Sequence, residues 1–561
     1  MKKVRDQNRV SAIFWLIPVL FLLAFYFYPL VQVAGRAIIT PSALNDFSNA
    51  NMRIGLRAIQ FSFAQALLST ALTFCLGIPA AYAFGRFRFP AKNLLRMLST
   101  LPFILPAVVV AAAFNALLGA NGWVNLILMR LLQISDPPIH IFGTLGAILL
   151  AHVFYNTSIF IRVVGTAWER LDPSIEDAAR MLASSPWKTF RKVTFPLLLP
   201  SIISAVLLVF LFDFTSFGVI LLMGGAQFAT MEVEIYIQTT QFLNLKLAGL
   251  LALLQLFFSI GITYVGNRMD AAAYIPITPL SSGEGLKKPV YLWQKVFLAV
   301  VVCLLVLLMV IPLLALLMRS LTIQSGSGAG GLILSLSNFT NIFINERDAL
   351  FFVPPFIALR NSVLFGFTAM LIAVVMGLCV VVGAERSKWI GKLLDAMVML
   401  PLGTSAVTLG LGYLIAFSGS RAMVAFFPVL IPIAHALIAL PFVVRILKPA
   451  LKAIPASQHD AAIMLGIPPN RLWWKLDLPI IQKPLATAAI YAFAISLGEF
   501  GATAFLSRPE IPTLPIAIFR YLVLPGGENY GKALAMAVIL LLACTLGFII
   551  IENLQDAQKS G

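Results

Sequence analysis

Asp213 and Glu499 are the two carboxylates that stand well inside long apolar runs, and His152 and His435 stand in such runs too. A charge at the centre of a bilayer costs about 3 kcal/mol or more, so an acid placed there must face a polar neighbour, water or a permeating cation. Asp213, Ser216 and Glu499 are therefore candidates for the wall of a translocation path that draws in a cationic solute. The competing reading is that each acid only hydrogen-bonds to a neighbouring helix. The two histidines could ligate a metal, but no adjacent Cys or paired acid completes a site, so with Asn156 they read as helix-packing groups. His140 and His459 fall in loops and carry no signal. Cys75, Cys303, Cys379 and Cys544 lie in apolar stretches without metal-ligand or disulfide spacing, and no metal or cofactor is expected on the chain.

Two glycine-rich segments invite a nucleotide and decline it. Gly526-Gly527-Glu528-Asn529-Tyr530-Gly531-Lys532-Ala533 fits the phosphate loop until Ala533 replaces the Ser or Thr that would hold magnesium, and no strand precedes it. The segment Gly326-Ser327-Gly328-Ala329-Gly330-Gly331 has dinucleotide spacing but sits in a Gly/Ser-rich connector without a strand–helix unit. Four scattered histidines make no catalytic cluster, so the chain is not expected to be an enzyme or to hydrolyse ATP.

The elements that carry these residues are set by composition. Of 561 residues, 60% are hydrophobic and 11% charged, against roughly 25% charged in a soluble domain. The apolar excess must face lipid. The net charge of +17 lies between apolar runs and not on one polar face, which excludes a nucleic-acid partner. A bilayer needs about 20 apolar helical residues. Twelve runs qualify: Ala12–Val33, Ile59–Ala83, Thr100–Leu118, Ile141–Val164, Pro200–Met223 and Leu247–Val265, then Leu292–Leu317, Ser362–Val382, Leu394–Phe417, Val424–Val444, Leu485–Phe505 and Ala533–Ile551. They are apolar all round, unlike barrel strands, and predict an all-α integral membrane protein of twelve transmembrane helices. The first run is too long for a cleaved signal and is expected to stay as a helix. With the amino terminus in the cytoplasm only 12 of the 40 Lys and Arg fall outside, so both termini are expected to be cytoplasmic.

The chain is one unit written twice. At an offset of 283 residues Ala151-His152 meets Ala434-His435, Asp177-Ala178-Ala179 meets Asp460-Ala461-Ala462, Met181-Leu182 meets Met464-Leu465, and Phe217-Gly218 meets Phe500-Gly501. Leu101-Pro102 resembles Leu400-Pro401 at an offset of 299. The predicted domains are residues 1–266 and 291–561, six spans each and therefore in the same orientation, joined by a cytoplasmic linker at 267–290.

The repeat is strongest in a long cytoplasmic loop between the fourth and fifth span of each half. In the first, Asp172-Pro173-Ser174 opens a helix that runs through Glu176 and Asp177 to Met181-Leu182. In the second, a helix through Asp460 stops at Gly466. Two such loops at matched positions indicate a docked protein partner more than a helix lying on lipid headgroups.

These loops resemble those of the permease subunits of binding-protein-dependent ABC importers, whose motif reads Glu-Ala-Ala, three residues, Gly, nine residues, Ile-x-Leu-Pro. The copies read Asp177-Ala178-Ala179…Ala183…Val193-Thr194-Phe195-Pro196 and Asp460-Ala461-Ala462…Gly466…Leu476-Asp477-Leu478-Pro479. Both carry Asp for Glu, and the first lacks the Gly. The resemblance implies a type I importer fold in two six-helix halves. It implies that Glu176, Asp177, Ala178, Ala179 and Ala183, with Asp460, Ala461, Ala462 and Gly466, seat in an ATPase dimer on the cytoplasmic face. ATP and magnesium would then be used by that partner alone. It also implies an extracytoplasmic solute-binding protein at the outer loops Gly224–Lys246, Arg319–Arg360 and Ser507–Lys532, in an inner-membrane system. Two halves fused in one chain look like the ferric iron and thiamine branch of that family. The rival is an ion-gradient-driven transporter of two six-helix halves, which would need more acids in its spans and no paired docking loops.

Overall fold

The computed structural model describes residues 14–38, 49–182, 184–272, 286–324, 332–343, 355–384, 388–419 and 426–559. Among them, eleven helices are long and apolar enough to cross a membrane, or twelve if one bent pair is counted as a single span. In chain order they fall on the twelve apolar runs. The all-α membrane class therefore holds, and the described strands are one small hairpin, Thr322–Gln324 against Leu332–Leu334. The Gly326–Gly331 segment lies outside the described residues.

Several runs that read as single spans are broken. Lys92–Ile104 ends at Leu105, which is extended (ψ 134°) because Pro106 follows, and Ala107–Leu118 starts anew. In the second half Trp389–Gly403 and Ala406–Phe417 meet at 99°, with the Ser405 hydroxyl accepting from Val407 N at 3.0 Å. The fifth spans break as well. Phe195–Phe214 stops before Gly218–Met223, and Leu478–Gly498 stops before Thr503–Leu506. Apolar composition runs on through such breaks because their polar groups are satisfied locally, so hydropathy does not register them.

Beyond each fifth-span break lies a helix within what reads as an outer loop: Met231–Thr240 and Leu514–Val523. The Ser62 hydroxyl accepts from Met231 N at 2.8 Å and the Ser362 hydroxyl from Leu514 N at 2.7 Å, so the second span of each half caps that helix from a distance. These two helices are equal in length and 283 residues apart. So are Pro173–Met181 and Ala456–Met464, and Phe190–Thr194 and Trp473–Asp477, the last pair being wide π turns.

Packing divides the chain into two compact units, Phe47–Glu234 with Phe257–Ser335, and Met1–Asp46 with Ile235–Leu256 and Leu336–Gly561. In the first unit Asn49–Arg86, Leu145–Glu169 and Phe195–Phe214 pack together, and Ile311–Ser320 packs on Ala107–Leu118. In the second, Pro355–Ala384, Phe427–Lys452 and Leu478–Gly498 pack in the same way, and Tyr28–Ile38 packs on Ala406–Phe417. Each unit thus takes in the first helix of the opposite sequence half. Glycine sets the closest approach in both: a Cβ on Gly77 would fall 2.6 Å from Phe160 Cγ, and one on Gly377 2.6 Å from Val443 Cγ1. Of the linker, residues 273–285 lie outside the described residues. Lys287 pairs with the end of the second span, its N–H donating to Arg86 O at 3.0 Å and its carbonyl accepting from Arg88 N at 2.9 Å.

Candidate functional site

The two long loops between the fourth and fifth spans are built as expected from their caps. The Asp172 carboxylate accepts from Ser174 N at 2.8 Å with Pro173 at the first helical position, and this bond holds the Asp172 carboxyl below the usual range. The second helix stops at Gly466, whose φ of +85° is the left-handed turn that glycine adopts freely. Ile467 N then donates back to Ala462 O at 3.0 Å. Ala183, which takes the place of Gly466 in the first copy, lies outside the described residues.

Asp177, Ala178, Asp460 and Ala461 are exposed, Ala179 is half-buried, and Ala462 is buried against the chain itself. Glu176 departs from the expectation. It is buried, paired with Arg86 at the end of the second span and accepting from Thr194 Oγ1 at 2.9 Å. It therefore anchors the loop to the bundle and is not presented to a partner. Sequence reasoning also passed over the apolar pairs that end these helices. Met181, Leu182, Met464 and Leu465 are between 84% and 89% exposed, which is unusual for large apolar side chains at a helix end outside the span. His459, read as a loop residue without signal, bonds to Asp477 at 2.8 Å. Those two positions match Glu176 and Thr194 at the 283 offset. Around the first loop Arg96 pairs with Glu169 at 2.7 Å, and burial pushes the neighbouring Lys92 ammonium down to about 8, partly offset by Glu169. The second half pairs Lys448 with Asp395.

Within the spans each carboxylate faces a histidine. His152 Nδ1 lies 3.3 Å from Asp213 Oδ1 and its Nε2 2.9 Å from Ser216 Oγ. Asn156 donates to Asp213 Oδ1 at 2.6 Å, Gln65 donates to Asp213 O at 2.8 Å, and the Ser69 hydroxyl lies beside the carboxylate. In the other half His435 Nδ1 lies 2.7 Å from Ser496 Oγ, and its Nε2 lies 3.0 Å from Glu499 Oε2 and 2.8 Å from Thr503 Oγ1. Glu499 accepts further from Ala502 N at 2.7 Å, Thr503 N at 3.1 Å and Thr503 Oγ1 at 2.6 Å. Asp213 has no exposed surface, Glu499 is 7% exposed, and Ser216 is half-buried. The histidines, first read as packing groups, are thus the direct partners of the acids first read as path-lining. Hydropathy could not join them, because residues 152 and 213 meet only when the fourth and fifth spans pack.

The phosphate-loop lookalike is not a loop. Gly527 opens the last helix, Gly527–Lys559, where buried Lys532 pairs with Glu528 one turn earlier. Among the described residues, no three His, Cys, Asp or Glu side chains gather closely enough to hold a metal ion.

Paired loops, broken fifth spans and a doubled six-span unit define a two-half membrane permease. The model of the family described as binding-protein-dependent transport system inner membrane component matches residues 73–271 and again 369–559, and the chain belongs to that family. It is the fused permease of a binding-protein-dependent ABC importer. The thiamine transport system permease protein ThiP of Escherichia coli is 28% identical over 499 residues, covering 88% of each chain. ThiP of Brucella abortus is 27% identical over 90% of this chain and 88% of its own. A probable ABC transporter permease of Sinorhizobium fredii is 24% identical over 95% and 94%. A solved bacterial alginate ABC transporter chain aligns at TM-score 0.40 and 16% identity, over 49% of this chain and 99% of its own.

Proposed function

We propose that this permease imports thiamine across the inner membrane, driven by an ATPase dimer docked on its two cytoplasmic loops. The observation that carries the substrate is the likeness to relatives named as thiamine permeases, which extends over about nine-tenths of the chain. Support for the docking comes from the two matched helices that expose Met181-Leu182 and Met464-Leu465 beside Asp177 and Asp460. An exposed apolar pair flanked by a carboxylate fits a cleft that buries the pair and meets the acid with a cation. Basic residues favour the cytoplasmic side for these loops and for both termini. ATP binding in the partner would then draw the loops together and open the path outward, and nucleotide release would return it. A binding protein would deliver solute at the outer face, where the helices Met231–Thr240 and Leu514–Val523 follow the fifth-span breaks.

The test is uptake of labelled thiamine, and separately of ferric iron, in cells expressing the chain with its neighbouring ATPase and binding-protein genes, with and without a protonophore. ATP-dependent thiamine uptake that survives the protonophore is the expected result. Uptake of iron alone would overturn the substrate, and uptake that needs the proton gradient and no ATPase would overturn the docking.

A further inference from the structure

The 283-residue offset that carries His152 onto His435 carries Asp213 onto Ser496 and Ser216 onto Glu499. The two acids are therefore not at the same repeat position. Each fifth span carries one acid and one serine three residues apart, in opposite order. The first of the two sits in the last turn before the break and the second sits in the break itself.

The surrounding geometry is kept. Ser216 N donates to Asp213 O and Glu499 N to Ser496 O, both at 3.4 Å, and beyond the break Leu221 N donates to Phe217 O and Ala504 N to Phe500 O, both at 2.9 Å. The rings are kept as well: Nδ1 faces the first position in each half and Nε2 the second. Backbone and imidazole stay in place while the carboxylate changes sides. The arrangement thus calls for one carboxylate and one hydroxyl on each ring, in no fixed order. An acid changes sides once more in the repeat of the chain's long loops, where Glu176 with Thr194 becomes His459 with Asp477.

We propose that His152 and His435 are positioning residues for transport, each tying its fourth span to the last turn of the fifth and to the break that follows it, and that each acid–serine pair works in either order. A broken helix in lipid frees backbone polar groups and can bend there, so a neighbouring side chain that faces both the last turn and the break sets its angle. This rests on the permease reading, because what the clamp aims is the segment leading to the outer helix.

The experiment uses the full chain with its ATPase in proteoliposomes, reading solute uptake and the ATPase activity of the complex. H152A, H435A and D213S are expected to lower the maximal uptake rate by about tenfold at wild-type membrane abundance, with KM for solute unchanged. The exchange variant D213S/S216E, which writes the second site into the first half, is expected to recover to within about threefold of wild type. Wild-type rates in H152A and H435A, or a double variant no better than D213S, would overturn the proposal. So would a rise in KM at unchanged maximal rate, which would assign the acids to solute contact. Should D213S fail to accumulate, recovery of abundance in the double variant supports the interchange and its absence overturns it. A wild-type complex that hydrolyses ATP without importing thiamine would defeat the substrate reading alone, since the ATPase comparison among variants still reads the clamp.

Discussion

The two buried histidine sites share a scaffold and differ in how completely they are satisfied. Around Glu499 both carboxylate oxygens accept hydrogen bonds and both ring nitrogens of His435 are bonded. Around Asp213 the carboxylate holds Asn156 on Oδ1, whereas Oδ2 makes no hydrogen bond of good geometry and the His152 contact is 3.3 Å. A buried network is worth most when every member is paired, because low dielectric strengthens each bond and raises the cost of each orphan. The second site is accordingly the stiffer of the two, and the first is the one whose carboxylate can change partners at smaller cost.

The largest expected effect comes from removing the better-bonded acid. Glu499→Ala strands His435, Thr503 and two backbone N–H groups, and should cost about 3–5 kcal/mol. Asp213→Ala should cost less, about 1–3 kcal/mol. Unfolding of the purified variants in detergent reads both, and equal losses would break the contrast between the sites. Next come the glycine contacts, where the halves should behave alike. Gly77→Val and Gly377→Val each push a side chain into the facing fourth span and should each cost about 1–3 kcal/mol on the same assay. Asp177→Arg and Asp460→Arg should weaken ATPase association in a pull-down and uncouple transport. If neither changes either quantity, the docking assignment is wrong.

The smallest effect is at the Asp172 cap. Its folded-state pKa lies below the unfolded value, so the cap's contribution is present above the unfolded pKa and is lost as pH falls through the folded one. Protection of the amides in Pro173–Met181, relative to their intrinsic exchange rates, should therefore fall at acid pH while that in Ala456–Met464, which has no such side-chain cap, changes less.

The amino-acid sequence by itself determined the membrane class, the order of the twelve spans, the internal repeat, and both loop helices with their caps. Those features depend on local composition, on spacing and on single residues such as Pro173 and Gly466, whose backbone preferences act without help from distant parts of the chain. Tertiary structure decided what depends on contact between residues far apart. It turned Glu176 inward onto Arg86, joined His152 to Asp213 and His435 to Glu499, and placed the first helix of each half in the unit of the other. It also broke the third and fifth spans, which hydropathy reads as continuous. The physical reason is common to all of these: an apolar run records a preference for lipid or core over water, and says nothing of which helix will lie against it or which buried polar group will find which partner.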